Sequence, residues 1–167
     1  MLASLSKNFA AGNDTPVVCD PITPLVGFDE SKYAGNWYEQ QHVVDPQEPS
    51  YYQCSQASYT DLSDDPTDPD IKHFKVYNSF QSKVLGIWGP RLGVHAKAYC
   101  DTTGACHVSF FGKTPADPNL NVLDTDYENY AINYWCDTEN NIVRVWINTQ
   151  KKISQDFCGL LRIYELY

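Results

Sequence analysis

Six cysteines are the residues whose chemistry this chain of 167 residues indicates most clearly. They are Cys19, Cys54, Cys100, Cys106, Cys136 and Cys158. An even number of widely spaced cysteines without a C-x-x-C pair is typical of disulfides, and here predicts three of them. No cysteine pair has zinc-finger spacing and the four histidines do not cluster in the sequence, so no metal site is expected. Disulfides indicate secretion to the extracellular space or another oxidising compartment.

Motifs for catalysis are missing from the sequence. It has no G-x-S-x-G turn, no H-E-x-x-H pair and no phosphate-binding loop. Because the cysteines are expected to be paired, a reactive thiolate is not expected either. We therefore predict that the protein is not an enzyme and requires no cofactor.

The charge balance excludes some classes of partner. Twenty-one acidic residues against twelve basic ones give a net charge of −9. Nucleic-acid binding requires clustered Lys and Arg, whereas these basic residues are scattered among acidic ones. The same balance argues against an anionic membrane surface and suggests a role in solubility. No run of 18 apolar residues is present, so no transmembrane segment is expected.

Aromatic residues form 14% of the chain and favour strands. Turn residues divide the chain into eight predicted strands. They are 36–44, 53–61, 72–80, 84–100 with an interruption at 86–93, 106–112, 120–127, 130–137 and 141–149. The other predicted elements are a helical turn over 29–34 capped by Asp29, a short helix over 151–160 and an edge strand over 161–167.

Short strands joined by hairpin-scale turns predict an antiparallel meander. Eight such strands can close into an up-and-down barrel, which removes exposed sheet edges and leaves room for one small ligand. We expect one domain over 1–167, with a loose arm over 1–18, the barrel over 29–150 and a helix and tail over 151–167. Strand order alone does not distinguish such a barrel from a sandwich.

Two segments resemble the signature of the lipocalin family. Residues 28–39, F-D-E-S-K-Y-A-G-N-W-Y-E, resemble its G-x-W motif, with Gly35 and Trp37 as the motif residues. Residues 124–136, D-T-D-Y-E-N-Y-A-I-N-Y-W-C, resemble its T-D-Y motif, with Asp126 and Tyr127. The resemblance is strongest to apolipoprotein D-like lipocalins and to those of bacteria and plants. It implies an all-β, eight-stranded antiparallel up-and-down lipocalin barrel, here with only a short C-terminal helix.

A third family motif places an arginine at the end of the last strand, where this chain has Gln150. In the family, that arginine packs across the motif tryptophan at the closed end of the barrel. The resemblance therefore implies that Trp37 closes the barrel base. Gln150, Lys151 or Lys152 would stand in for the arginine.

The expected disulfides rest on two arguments. The turn at 101–105 predicts a bridge between Cys100 and Cys106, with a staggered, unbridged register as the alternative. The family resemblance implies the remaining two pairs. These are Cys19–Cys136 and Cys54–Cys158, out of fifteen pairings that six cysteines allow.

Five residues are candidates for ligand contact. Tyr59 and Trp146 align with cavity positions of the apolipoprotein D type, and strand parity adds Phe110 and Tyr134. Core packing is the alternative for each of these rings. Arg144 shares a strand face with Trp146 and is the expected polar anchor, able to pair with a ligand carboxylate. An internal ion pair or exposure at the barrel mouth is the alternative for Arg144.

The expected function is binding and transport or sequestration of a small hydrophobic molecule in the barrel cavity. Lipids, fatty acids, sterols, retinoids, carotenoids and bilins are all candidate ligands, so a bound lipid or pigment is expected. The alternative is a structural or interaction subunit of a larger assembly, with the cavity filled by its own aromatic side chains. A protein partner or an oligomer is compatible with both.

Overall fold

The computed structural model describes residues 16–23, 25–43 and 53–152, together with the backbone of residues 162–163. Within these ranges lie one 3-10 turn, Glu30–Lys32, and eleven strands. The strands are β1 Gly35–Val43, β2 Gln53–Asp64, β3 Lys72–Gln81, β4 Lys83–Val84, β5 Ile87–Trp88, β6 Leu92–Cys100, β7 Ala105–Phe110, β8 Leu120–Thr125, β9 Tyr130–Asp137, β10 Ile142–Thr149 and β11 Arg162–Ile163. No helix in the described part of the chain is long and apolar enough to cross a membrane.

Eight of these strands form a closed antiparallel barrel. Pairing runs in chain order through β1, β2, β3, β6, β7, β8, β9 and β10, and β10 pairs back with β1. The predicted up-and-down barrel is therefore confirmed. β4 and β5 form a separate hairpin, and the expected edge strand appears as β11, parallel to the end of β1.

Alternation along each strand separates the core from the solvent. In β3, Phe74 and Val76 are completely buried inside the barrel. Lys75, between them, is exposed and donates to the Asp61 carboxylate at 2.8 Å. The period of two that predicts strands from the sequence thus also decides which side chains face the interior.

The end of the barrel at which β1 begins, called here the closed end, is filled by aromatic rings. Tyr33 stacks on Trp37 with ring centroids 4.9 Å apart and meets Tyr59 edge-to-face at 5.3 Å. Phe28 packs on Tyr33 at 5.4 Å, and Phe74 packs on Tyr59 at 5.5 Å. Trp37 Nε1 donates to the Tyr33 carbonyl at 2.9 Å, so the indole is buried with its polar group satisfied.

The disulfides secure both ends of the barrel. Cys100 and Cys106 are bridged register partners beside the β6–β7 turn. Cys19 is bridged to Cys136, which fastens the N-terminal arm to β9. Cys54 is disulfide-bonded, while its expected partner Cys158 lies outside the described residues, as does nearly all of the helix expected over 151–160.

Two strand boundaries differ from the sequence-based expectation because of positive φ angles. The interruption expected at 86–93 within the strand 84–100 begins one residue earlier, at a two-residue turn, Leu85–Gly86, with φ of 49° and 82°. The strand expected over 106–112 ends at Phe110 because Phe111 and Gly112 turn the chain at φ of 56° and 77°. Bulky residues rarely adopt this conformation, so residue type did not indicate that Leu85 and Phe111 are the first residues of these turns.

Candidate functional site

The barrel encloses a cavity of about 490 Å³ above Trp37. All eight barrel strands contribute residues to its wall. The opposite end of the barrel, where β1 ends, is called here the open end. The described loops at the open end join β3 to β6, β7 to β8, and β9 to β10. The volume lies within the range of small-molecule pockets, about 300–1,000 Å³.

Aromatic rings dominate the cavity wall. They are Trp37, Tyr59, Phe80, Phe110, Trp135 and Trp146. Rings from β1, β2, β3, β7, β9 and β10 thus surround one space. Flat apolar faces on several sides can stack on a planar or conjugated ligand and remove it from water.

Strand parity in β10 follows the sequence-based expectation. Arg144, Trp146 and Asn148 lie on the cavity wall. Of the other predicted ligand residues, Tyr59 and Phe110 also lie there, and Tyr59 is almost completely buried. The structure therefore brings four of the five predicted residues together around one cavity.

Tyr134 was assigned to the wrong face of β9. Its neighbours Asn133 and Trp135 line the cavity, whereas Tyr134 does not. Its ring is buried, and the backbone of Asp20 in the N-terminal arm hydrogen-bonds to it. Burial, together with the Asp20 charge, raises the pKa of Tyr134.

The parity error at Tyr134 reflects the composition of β9. The alternation of β9 is regular, and its register with β10 pairs Trp135 with Arg144 and Asn133 with Trp146, so Asn133 and Trp135 share the cavity face. Aromatic residues occur on both faces of β9, so residue type alone did not show which face points inward. Sequence reasoning consequently chose Tyr134 and missed Trp135.

Polar groups on the wall differ in whether the protein already satisfies them. Asn133 Oδ1 accepts from Tyr33 Oη at 3.2 Å, and Asn119 bonds to both backbone groups of Val108 at 2.7 and 3.0 Å. Asn78 Oδ1, in contrast, is buried without a hydrogen-bond partner among the described residues. A ligand N–H or O–H group can satisfy this acceptor.

Charged side chains also reach the wall. Arg144 places its guanidinium carbon 5.1 Å from the centre of the Trp135 ring, a cation–π contact. Glu39 carries the opposite charge and contacts His42 Nδ1 at 2.5 Å. The wall therefore presents one cation held on an aromatic face and one carboxylate engaged with histidine.

Arg91 supports the wall from behind and was not predicted. Its guanidinium donates to the Cys54 carbonyl at 3.0 Å, to Ser79 Oγ at 3.2 Å and to Gln81 Oε1 at 3.1 Å. Partial burial lowers its pKa. These bonds tie β2 to β3 beneath the β4–β5 hairpin.

Gln150 takes a structural role at the closed end. Its Nε2 donates to the Tyr127 carbonyl at 2.9 Å. It also packs against Gly35, where a Cβ would lie 3.3 Å from Nε2, so this close approach favours glycine. The ring of Tyr33 stacks on Trp37, and Lys32 Nζ lies 5.8 Å from the Tyr127 ring centre.

Asp126 organises the loop that meets the 3-10 turn. Its Oδ1 accepts from the backbone N–H groups of Glu128, Asn129 and Tyr130 at 2.7–3.1 Å. These bonds hold the pKa of Asp126 well below its usual value, with the Asn129 side chain as the largest contributor. The adjacent Tyr127 accepts from the Asp29 N–H at 2.8 Å, which joins the two sequence motifs physically.

Within the described ranges, no cluster of three or more His, Cys, Asp or Glu side chains has a geometry that could hold a metal ion. Burial raises the pKa of Tyr59 to about 12 and also raises the pKa of Tyr33 well above its ordinary value. Both hydroxyls are therefore protonated at neutral pH.

Comparison with known proteins identifies relatives in sequence and structure. Insecticyanin-A of Manduca sexta is 31% identical over 144 residues, which cover 83% of this chain and 71% of that protein. The solved insecticyanin structure from the tobacco hornworm superimposes with a TM-score of 0.62 at 26% identity, covering 83% of this chain and 72% of the other.

Two further relatives have the same kind of match. The bilin-binding protein of Pieris brassicae is 29% identical over 145 residues, 81% of this chain and 68% of that protein. Apolipoprotein D of Macaca fascicularis is 32% identical over 123 residues, 72% of this chain and 59% of that protein. No family model matches the chain.

The two motif segments, the closed eight-stranded barrel and these relatives agree with one another. Gly35, Trp37, Asp126 and Tyr127 meet at the closed end of the barrel, as the motif resemblance implies. Insecticyanin-A, at 31% identity, and the superimposed insecticyanin structure each match 83% of the chain. The chain belongs to the lipocalin family.

Proposed function

We propose that this protein binds and carries or sequesters a small hydrophobic molecule in the barrel cavity. The observation that carries the proposal is the cavity of about 490 Å³ bounded by six aromatic side chains. Burying apolar ligand surface there contributes roughly 25 cal/mol per Å². The alternative of a barrel filled by its own side chains predicts no such volume.

The preferred ligand, in this proposal, is a flat conjugated molecule with polar edge groups, such as a bilin. Tyr59, Phe110, Trp135 and Trp146 supply ring faces. The unsatisfied Asn78 Oδ1 accepts from a ligand N–H or O–H group. One relative, which matches 81% of this chain, carries the name bilin-binding protein. That name supports bilins as the class of ligand.

Arg144 is the proposed partner of a ligand carboxylate. Its guanidinium lies against Trp135 at the cavity wall, so a carboxylate stacked beside that ring would meet it. Charge-assisted bonds of this kind are stronger than neutral ones. Replacing Arg144 with Gln is expected to weaken binding of a carboxylate ligand more than of its methyl ester.

The experiment is a titration of the purified protein with biliverdin, followed by absorption and by quenching of tryptophan fluorescence. We expect saturable binding with a Kd in the micromolar range or below, about −8 kcal/mol or stronger. Trp146→Ala should weaken it about tenfold or more. The matched control is Trp88→Ala, which removes a tryptophan that does not line the cavity.

Retinol and palmitate, titrated in the same way, test the class of ligand. Tighter binding of either than of biliverdin would contradict the bilin preference while leaving the carrier function intact. Absence of saturable binding by all three, in protein whose fold is intact by circular dichroism, would contradict the carrier function.

We propose further that the protein has no catalytic activity. We also propose that it acts outside the reducing cytosol, since its disulfides persist in oxidising compartments.

A further inference from the structure

The first strand of the barrel contains a β-bulge beside the cavity. The register between β1 and β10 shifts by one residue between Glu39 and Gln41. The extra residue is Gln40, whose Nε2 donates to Thr149 Oγ1 at 2.9 Å and to the Tyr38 carbonyl at 3.1 Å. These bonds fasten the bulge to both strands. Bulges of this kind often re-aim a side chain next to a binding site.

The bulge brings Glu39 and His42 onto one face of β1. In a regular strand, side chains three positions apart point to opposite faces. With the extra residue between them, Glu39 is the register partner of Asn148, and His42 is that of Trp146. Asn148 and Trp146 line the cavity, and so does Glu39. The contact between the Glu39 carboxylate and the His42 ring therefore depends on the bulge.

The protein engages only one oxygen of the Glu39 carboxylate. Oε1 contacts His42 Nδ1 at 2.5 Å, and the side chain of Glu39 is 16% exposed. Among the described residues, nothing donates a hydrogen bond to Oε2, and His42 is the one cationic group in ion-pair contact with the carboxylate. Burying a carboxylate is costly unless its oxygens find donors. A ligand in the cavity can supply the donor for Oε2.

The two charged side chains of the described cavity wall lie at different depths. Trp37, at the floor of the cavity, is two positions before Glu39 in β1. Arg144 is four positions from Asn148, the register partner of Glu39, along β10 towards the open end. Four residues of extended strand span about 13 Å. The cavity thus has a carboxylate near its floor and a guanidinium towards its mouth.

We propose that Glu39 binds a protonated nitrogen of the ligand. This inference rests on the proposed function, because it assigns a further contact within the same cavity. Oε2 accepts from the ligand N–H, and a hydrogen bond between two charged groups is stronger than a neutral one. The ring faces of Trp37 and Trp146 in the same wall attract a cation as well.

The site also sets the orientation of the ligand. A molecule that carries both a basic nitrogen and a carboxylate enters with its nitrogen towards Glu39 and leaves its carboxylate beside Arg144. Fatty acids, sterols and retinoids have no nitrogen and gain nothing from Glu39. Glu39 therefore selects nitrogen-containing molecules among the hydrophobic ligands of a suitable size.

The test uses two probes with the same ring system and different polar groups, 1-naphthylmethylamine and 1-naphthalenemethanol. Each is titrated by calorimetry into the unchanged protein and into Glu39→Gln, which keeps the side-chain shape and removes the charge. We expect the amine affinity to fall at least about tenfold in Glu39→Gln. The alcohol affinity should change by less than about twofold, because the Gln Oε1 still accepts from a hydroxyl.

The matched control is Glu139→Gln, which removes the same charge in the turn between β9 and β10, away from the cavity wall. It should leave both affinities unchanged, because solvent and salt screen a distant exposed charge. Circular dichroism and the thermal midpoint should match the unchanged protein in both variants. Any change in binding then reports on the cavity and not on folding.

Four outcomes would overturn the inference. The first is no saturable binding of the amine by the unchanged protein, and the second is unchanged amine affinity in Glu39→Gln. The third is an equal fall for amine and alcohol in Glu39→Gln, which would assign a structural role to this side chain. The fourth is an equal fall of amine affinity in Glu139→Gln, which would assign the effect to net charge.

The titrations with biliverdin, retinol and palmitate separate this inference from the carrier function. Saturable binding of any of the three, together with one of the four outcomes, would reject the Glu39 site and retain the carrier function. Amine binding that depends on Glu39, without binding of the three, would retain the site and reject those classes of cargo.

Discussion

The two ends of this barrel use their turns in opposite ways. At the closed end, the turn residues satisfy one another: Asp126 accepts three backbone N–H groups, and Tyr127 binds the Asp29 N–H. At the open end, Leu85 and Phe111 occupy turn positions at positive φ with their side chains in solvent. The comparison teaches that the turns of the closed end contribute to stability, whereas those of the open end keep two bulky residues in a strained backbone conformation.

The largest expected difference in stability between the two ends arises from their disulfides. The Cys19–Cys136 bridge spans 117 residues and holds the arm near the open end, whereas the Cys100–Cys106 bridge spans 6 residues at the closed end. Loop entropy predicts a loss of about 5 kcal/mol for Cys19→Ser/Cys136→Ser and about 2 kcal/mol for Cys100→Ser/Cys106→Ser. Urea denaturation of both variants measures the difference, and equal losses would contradict this explanation.

Replacing a tryptophan at one end or the other should change the free energy of unfolding by amounts that differ almost as much. Trp37 is 1% exposed and packs on Tyr33, so Trp37→Ala is expected to lower the free energy of unfolding by about 4 kcal/mol. Trp88→Ala, at the open end, should lower it by less than about 1 kcal/mol. Chemical denaturation with constant m-values would measure both, and a comparable loss in the two variants would refute the contrast.

Acid should destabilise the closed end through two of its carboxylates. Hydrogen bonds, chiefly from Thr67, lower the pKa of Asp65 to about 2, and hydrogen bonds also lower the pKa of Asp126. Because both folded-state values lie below the unfolded value of about 3.9, this stabilisation is complete above that pH. It is lost as the pH falls towards 2.

Unfolding free energies at pH 7 and pH 3 test this dependence. Asp65→Asn and Asp126→Asn should each be less stable at pH 7 and show a smaller decrease on acidification. The comparison at the open end is Asp137→Asn, since the pKa of Asp137 is also lowered, by the Asn140 side chain first. An unchanged pH dependence in all three variants would reject hydrogen-bonded carboxylates as the cause.

The smallest expected effect is a gain in the free energy of unfolding. Leu85→Asn relieves a bulky residue at φ 49° and should raise the free energy of unfolding by about 0.5–1 kcal/mol. Ile87→Asn, an exposed strand position of the same hairpin, offers the control and should give no gain. A loss on Leu85→Asn would show that this side chain stabilises the folded protein by itself.

Sequence reasoning succeeded where local rules decide the outcome. Asp29 caps the 3-10 turn, bonding the Ser31 N–H at 3.1 Å, as residue type predicted. The parity of β10 followed from simple alternation, so Arg144 and Trp146 were assigned to the interior. It failed at Tyr134, since both faces of β9 carry aromatic residues and the register with β10 that fixes the inward face depends on the pairing of two strands.

The sequence by itself determined the family, the eight strands, the closed-end motif residues and the Cys100–Cys106 pairing, because each depends on short-range patterns or a recognisable motif. Tertiary structure alone decided which rings share the cavity, that Asn78 Oδ1 remains without a partner there, and that Gln150 binds the Tyr127 carbonyl. It also decided that Leu85 and Phe111, 26 positions apart in the sequence, project from the same end. Barrel closure is the physical reason, since it brings strands that are distant in the sequence into one wall.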